Sequence, residues 1–235
     1  WEPELVRRDP EALKSARQKH RTAIRNAMIL QYLFDNQWKR LRAYGRQRNI
    51  RIVGDIPIFV AHDSADAWAN PGLFYLNEDG RPQVVAGVPP DYFSAKGQLW
   101  GNPLYRWDVH RETGYAWWIA RMKKIFEMVD IVRIDHFRGF EAYWEIPGDA
   151  TTAINGRWVK GPEGDLFWHL NQALGDVPVI AEDLGIITPP VEHLRDAFNL
   201  PGMRVLQFAF GNDAKADAYR PESYPKNCVV YTGTH

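Results

Sequence analysis

Two short stretches of the chain gather the residue types that do chemistry. In VDIVRIDHFRG, residues 129–139, the apolar Val129, Ile131, Val132 and Ile134 run into Arg133, Asp135, His136 and Arg138. In PVIAEDLG, residues 178–185, Val179, Ile180 and Ala181 run into Glu182 and Asp183. Charged groups at the mouth of a buried strand lose hydration unless they pair or meet a ligand. Asp135 beside an arginine is expected to stay ionised, which suits a nucleophile. Glu182 after three apolar residues is expected to be pushed toward its protonated form, which suits an acid. An anion and a proton donor on neighbouring strands, among many aromatics, suggest glycosidic bond chemistry, with carboxyls roughly 5–5.5 Å apart in a retaining mechanism. The plain alternative is an ion-paired strand end. A metal site could draw on Asp135-His136, His62-Asp63 and Glu182-Asp183, but no H-x-H or H-E-x-x-H spacing supports it. A serine hydrolase lacks its G-x-S-x-G elbow.

The elements that must hold these residues come next. The order reads helix, strand, helix, strand, helix, strand, helix, strand, then loop and strand, which argues a parallel sheet with helical crossovers. Asp9-Pro10-Glu11 opens a first helix running through Leu13, Ala16, Ile24 and Met28; Phe34, Trp38 and Leu41 line a second. IRIVGDIPIF, residues 50–59, is a strand containing Asp55. Tyr115 to Val129 is a helix feeding the strand at 129–135, expected to be buried on both faces. Phe167, Leu170 and Leu174 mark a helix that Gly175 closes. Thr188-Pro189 caps another, with Val191, Leu194 and Phe198 on its face. MRVLQFAF, residues 203–210, and NCVVYTGTH, residues 227–235, read as strands. Residues 61–112 show no clear helix or strand pattern, yet are rich in aromatics, and read as a folded excursion over a site; residues 136–165 form another. Polar residues collect where strands end, at Asp55, Asp135 with His136, Glu182 with Asp183, and His235. That is the active-site face of a (β/α)₈ barrel. The rival doubly wound sheet would carry a Gly-rich phosphate turn, and neither G-x-G-x-x-G nor a P-loop is present.

Composition narrows the partners. The 235 residues suffice for a large core, and the formal net charge of zero gives no argument for nucleic acid. One cysteine, Cys228, rules out an intrachain disulfide framework and favours a reducing compartment. No uninterrupted apolar run reaches membrane-spanning length, and no signal-like segment leads the chain. Ten Trp, ten Tyr and eleven Phe exceed ordinary usage, and flat rings can serve as platforms for the apolar faces of sugars. The chain starts at Trp1 without a methionine and stops at His235 just after a strand, so it reads as an internal segment of a longer protein.

The motifs together resemble a known family. GDIPIFVAHDSADAWANP, VAGVPPDYFSAKGQLWGNPLYRW, VDIVRIDHFRGFEAYWEIP, INGRWVKGP, VIAEDLGIITP, LPGMRVLQFAF and VVYTGTH are similar, in this order, to segments of the 4-α-glucanotransferases. These amylomaltases, or disproportionating enzymes, form glycoside hydrolase family 77, related to the α-amylases. The resemblance runs from about Leu30 to His235. It implies a (β/α)₈ barrel and a retaining transfer of α-1,4-glucan segments between malto-oligosaccharides, with no cofactor and no catalytic metal. Asp135 matches the nucleophile and Glu182 the general acid/base. Arg133 and His136 match residues holding the nucleophile and the sugar, and His235 a histidine on the same sugar. Asp91, Gln98 and Trp100 match positions of the active-site loop that bind glucose units, and Asp55 matches an acid that serves either structure or sugar.

The family's third catalytic aspartate directly follows the histidine of the TGTH motif, and this chain ends at that histidine. The resemblance therefore implies an incomplete barrel of about strands three to seven within residues 31–235. Residues 1–30 would belong to a helical insertion, and 61–112 and 136–165 would be long active-site loops. A hydrolase on the same barrel, or glycan binding without turnover, remain the alternative functions. A cytoplasmic location is expected, or a plastid for a plant or algal protein, and neither nucleic acid nor membrane is an expected partner.

Overall fold

The computed structural model describes residues 1–91, 94–211 and 216–233. The chain begins with three helices, α1 (Pro3–Val6), α2 (Pro10–Lys19) and α3 (Arg21–Arg46), followed by β1 (Val53–Pro57). Then come α4 (Ala65–Ala69), β2 (Val84–Val88), β3 (Gln98–Pro103), α5 (Trp107–Glu112), α6 (Ala116–Met128) and β4 (Ile131–Asp135). The rest is β5 (Ala142–Pro147), β6 (Arg157–Lys160), α7 (Glu163–Leu174), β7 (Val179–Ala181), α8 (Pro189–Ala197), β8 (Gly202–Val205) and β9 (Cys228–Tyr231). These elements make two compact units. One comprises Trp1–Ile52, Phe59–His110 and Glu145–Arg157; the other comprises Val53–Ile58, Arg111–Trp144 and Trp158–His235. The chain passes from one to the other within β5 and again within β6.

The second unit holds the two chemistry-bearing stretches. β1, β4 and β7 form a parallel sheet in that order. β4 pairs with β1 from Val53↔Ile131 to Pro57↔Asp135, and with β7 from Val132↔Val179 to Ile134↔Ala181. β8 and β9 form a separate parallel pair. Side chains alternate along a strand. Val132 and Ile134 are fully buried, while Ile131, Arg133 and Asp135 on the opposite side are only partly covered. β4 is therefore not buried on both faces, as its apolar run suggests; its second face carries Arg133 and Asp135. Beneath it lie Trp118 and Met122 of α6, both fully buried. An aromatic cluster extends this core, with Trp118–Phe140 ring centroids at 5.3 Å and Phe140–Phe167 at 5.2 Å. α7 closes at Gly175, whose φ of +73° is open to glycine at no steric cost.

In the first unit Asp9 caps α2, its side chain accepting from the amides of Glu11 and Ala12, with Pro10 in the first turn. The helix stops at Lys19 rather than running through Ile24 and Met28. Those two residues join Phe34, Trp38 and Leu41 on the 26-residue α3. Met28, Leu30, Tyr32 and Phe34 on that helix are exposed. Packing elsewhere in the unit centres on Tyr105, which meets Phe74 at 5.2 Å, Phe59 at 5.9 Å and Trp107 at 4.8 Å between ring centroids.

Three local expectations are corrected. Residues 61–112 do contain regular structure: α4, α5 and the antiparallel pair β2–β3, whose register shifts between Val85 and Gly87. Glycine and proline inside these short strands, with that irregularity, hide the alternating pattern. The strand expected over 203–210 ends at Val205 and turns into a 3₁₀ segment, Leu206–Phe210, because its partner β9 ends at Tyr231, opposite Val205. Thr188 occupies the cap position of α8, but its side chain makes no capping bond. Among the described residues no helix is long and apolar enough to cross a membrane.

Candidate active site

Parallel register places the charged residues. Asp55 and Arg133 are direct partners across β1 and β4, so their side chains leave the sheet on the same face, and Asp135, two residues on, leaves it there as well. The β4–β7 ladder continues one step past its last paired strand residues. The Glu182 amide donates to the Ile134 carbonyl at 3.0 Å, and the Phe137 amide donates to the Glu182 carbonyl at 3.1 Å. Glu182 therefore follows β7 opposite Asp135.

Arg133 organises the face. Its Nη1 donates to both Asp55 carboxylate oxygens at 2.8 Å, its Nη2 to Asp135 Oδ1 at 2.7 Å, and its Nε to the Met203 thioether at 3.3 Å. Burial works against its charge. The bond to Asp55 and the negative charges of Asp135, Asp55 and Glu182 outweigh that, holding its pKa above the ordinary arginine value. The Asp135 side chain keeps 44% of its surface in solvent, so one oxygen is anchored while the group remains accessible.

Glu182 sits in the opposite environment. The residue is 9% exposed. The His136 amide donates to its Oε2 and the Leu184 amide to its Oε1, each at 2.8 Å. Burial is the largest influence on its pKa and raises it. The two amides pull it down, the Asp135 charge pushes it up and Arg133 pulls it down, with the balance above the ordinary glutamate value. This is the environment expected of the acid.

His136 reaches Glu182 through an unusual backbone. Its φ of +55° and ψ of +47° are left-handed, a conformation that costs energy in a non-glycine residue and concentrates at functional sites. It turns the chain after His136, so that the next amide, of Phe137, meets the Glu182 carbonyl while the His136 amide meets the carboxyl. Burial, and then the Arg138 charge, push the imidazole pKa down to about 3, so the ring is neutral near pH 7.

Asp183, next to Glu182, has a structural setting. It is buried, accepts from the Met203 amide at 2.7 Å and from Arg204 at 3.4 Å, and forms a close ion pair with Arg195 of α8. It ties α8 and β8 to the end of β7. The structure thus brings Arg133, Asp135, His136 and Glu182 together and adds Asp55. Met203 could not be found from sequence, since nothing marks a methionine 70 positions from its arginine.

Asp91, Gln98 and Trp100 belong to the other unit. There Asp91 Oδ1 accepts from the Ser94 amide at 2.8 Å, and the Trp100 indole donates to Gln98 Oε1 at 3.1 Å, both residues standing on the same side of β3. His235 lies outside the described residues. His62, one of the candidate metal ligands, bonds the Gly80 carbonyl at 2.7 Å through Nε2. Among the described residues no group of three or more His, Cys, Asp or Glu side chains is placed to hold a metal ion.

A mixed α/β fold whose parallel strands end in unlike carboxyl groups belongs to the broad class that carries its chemistry at strand termini. Within that class the chain belongs to glycoside hydrolase family 77, whose model, described as 4-alpha-glucanotransferase, matches residues 1–235. It is 54% identical to a 4-alpha-glucanotransferase of Thermus thermophilus and 53% identical to one of Synechocystis sp., in each case over 100% of this chain and 47% of the relative. Its fold is similar to that of an amylomaltase from Streptococcus agalactiae solved in complex with acarbose. The TM-score is 0.96 and the identity 43%, over 100% of this chain and 48% of that one. The chain spans about half the length of the curated relatives it matches.

Proposed function

We propose that this chain carries the central catalytic part of a 4-α-glucanotransferase, which moves α-1,4-glucan segments between malto-oligosaccharides with retention of configuration. The observation that carries the reading is the pair Asp135 and Glu182, one residue past the shared ladder. One is anchored by Arg133 and accessible, the other buried with a raised pKa. In the first step the Asp135 carboxylate attacks the anomeric carbon. The bond to the leaving glucan breaks, and the Glu182 proton passes to the departing 4-oxygen. In the second step a sugar 4-hydroxyl attacks the glycosyl-enzyme, Glu182 takes its proton, and Asp135 is released as carboxylate. Arg133 orients the nucleophile. A neutral His136 can donate or accept one hydrogen bond at the sugar, while its amide holds Glu182. Asp91, Gln98, Trp100 and His235 are proposed as sugar-binding residues, and Trp100, partly exposed, has an indole of the right size to stack on a pyranose.

The fold proposed is a (β/α)₈ barrel of the α-amylase type, of which residues 31–235 supply about strands three to seven. Residues 1–30 are assigned to a helical insertion, and 61–112 and 136–165 to long active-site loops. The parallel order β1-β4-β7 accords with this. The same reading puts the protein in the cytoplasm, or in a plastid where the source is a plant or alga. Transfer and hydrolysis share the covalent intermediate and differ in the second acceptor. The test is incubation of the full-length protein with maltotriose, with products separated by length. Glucose with maltopentaose and longer chains supports transfer. Glucose and maltose alone would make the enzyme a hydrolase, and no product from a folded protein would leave glycan binding.

A further inference from the structure

The motif INGRWVKGP and the buried Arg138 take no part in the chemistry above, yet the structure joins them. Arg138 is 6% exposed. Its guanidinium lies 3.8 Å over the centre of the Trp158 ring. Its Nη1 donates to the Ile186 carbonyl at 2.6 Å, and its Nε reaches the Ala142 carbonyl at 3.4 Å. Nη2 stands 4.0 Å from Glu141, a buried carboxylate that Lys160 of the same motif also binds. Burial pulls the Arg138 pKa down and Glu141 partly restores it.

Ile186 belongs to the segment that follows the acid. Leu184 donates its amide to Glu182 Oε1, Gly185 turns with φ +83°, and the Ile187 amide bonds the Gly185 carbonyl at 3.1 Å. On the other side His136, two residues before Arg138, donates its amide to Glu182 Oε2. The triplet 136–138 thus grips the acid twice: at the carboxyl through an amide, and behind it through Arg138 and the Ile186 carbonyl. A buried guanidinium contributes little stability over an apolar side chain of like size. Its planar fork can stack on an indole and reach separate carbonyls at once, which an ammonium does not reproduce.

We propose that Arg138, backed by Trp158, is a positioning residue for Glu182: it fixes the Leu184–Ile187 turn so that the carboxyl stays aimed for proton transfer. This rests on the reading of Glu182 as the acid/base.

The test uses the full-length protein and two donors. Departure of the sugar from maltotriose requires a proton. Departure of fluoride from α-maltosyl fluoride does not, and azide then captures the glycosyl-enzyme without a base. Arg138→Met should lower kcat on maltotriose by about 100-fold, the scale of general-acid catalysis, with KM within about 3-fold. Azide-supported fluoride release should stay within about 3-fold of wild type, as it should in Glu182→Gln. Arg138→Lys should restore less than about a tenth of the loss, and Trp158→Phe should keep most of the activity, since a ring still covers the guanidinium. Trp158→Ala, at a 41% exposed position, serves if Arg138→Met does not fold, and should show the same donor-selective loss at about 10-fold. Equal losses with both donors in a folded variant, or a maltotriose rate within about 3-fold of wild type, would overturn the positioning role. A Glu182→Gln enzyme that used maltotriose at the wild-type rate would instead overturn the acid/base assignment itself.

Discussion

At the end of β4, Asp135 keeps much of its side chain in solvent and leans on a guanidinium it shares with Asp55. One strand over, at the end of β7, Glu182 is withdrawn from solvent and held at both oxygens by neutral amides. Asp183, its neighbour, is buried more deeply still, but between two arginines. What separates these three acids is the company they keep rather than depth alone. A fixed cation with open solvent leaves a carboxylate free to react. Burial among neutral donors favours the proton, and burial among cations makes a fastener.

The contrast can be broken at each acid of the full-length protein. Asp135→Asn keeps shape but removes the attacking charge, so the transfer rate should fall by about 10⁴-fold while malto-oligosaccharide binding by calorimetry persists. Near-wild-type turnover would move the nucleophile elsewhere. Asp183→Ala takes from Arg195 its buried partner, leaving it the exposed Asp196, and strips the Met203 amide of its acceptor, so unfolding free energy in urea should fall by about 3 kcal/mol. A loss below about 1 kcal/mol would deny it the fastening role.

Titration sharpens the same contrast. The raised Glu182 pKa means the proton required in the first step is retained above the ordinary glutamate value. The alkaline limb of kcat/KM should accordingly lie above pH 4.5, and the Glu182→Gln variant should lose it. For His136 the shift is opposite in direction to that of Glu182 and has the same sign for stability as an acid stabilised by a cation. Its folded pKa of about 3 lies below the ordinary 6.5, so between those values the unfolded chain binds a proton that the folded chain refuses. Stability is then lost as pH falls from about 6.5 toward 3, at up to about 1.4 kcal/mol per unit. His136→Asn, which tolerates the left-handed backbone, should show a shallower loss between pH 7 and pH 4 in thermal melts. Parallel slopes would show that the imidazole is not the group titrating. The smallest effect belongs to Asp55→Asn. Its pair with Arg133 is largely solvent-exposed on the aspartate side, so stability should change by less than about 1 kcal/mol, and the transfer rate should fall only a few-fold.

Much of this arrangement can be read from the chain alone, because it is encoded locally. Apolar runs ending in Asp135 and Glu182 mark both strands and their reactive ends, and the Asp9-Pro10 cap and Gly175 are marked by residues whose conformational preferences are strong. What resists reading is non-local. Nothing in PVIAEDLG says that Glu182 is gripped by amides while Asp183 faces arginines from α8 and β8. The hairpin of β2 and β3 is hidden by its own glycines and prolines. The apolar run of β4 suggests two buried faces because it does not reveal that Arg133 finds Asp55 in register on the next strand.

That register has a kinetic consequence. The Asp55–Arg133 pair joins residues 78 positions apart, and the sheet holding both carboxyls is built entirely from such distant pairings, whose loop-closure entropy must be met before any contact rewards it. α3, by contrast, forms from bonds four residues apart. On dilution from denaturant, helical ellipticity should recover well before glucan transfer does, and the interval between the two signals would time the assembly of the reactive face.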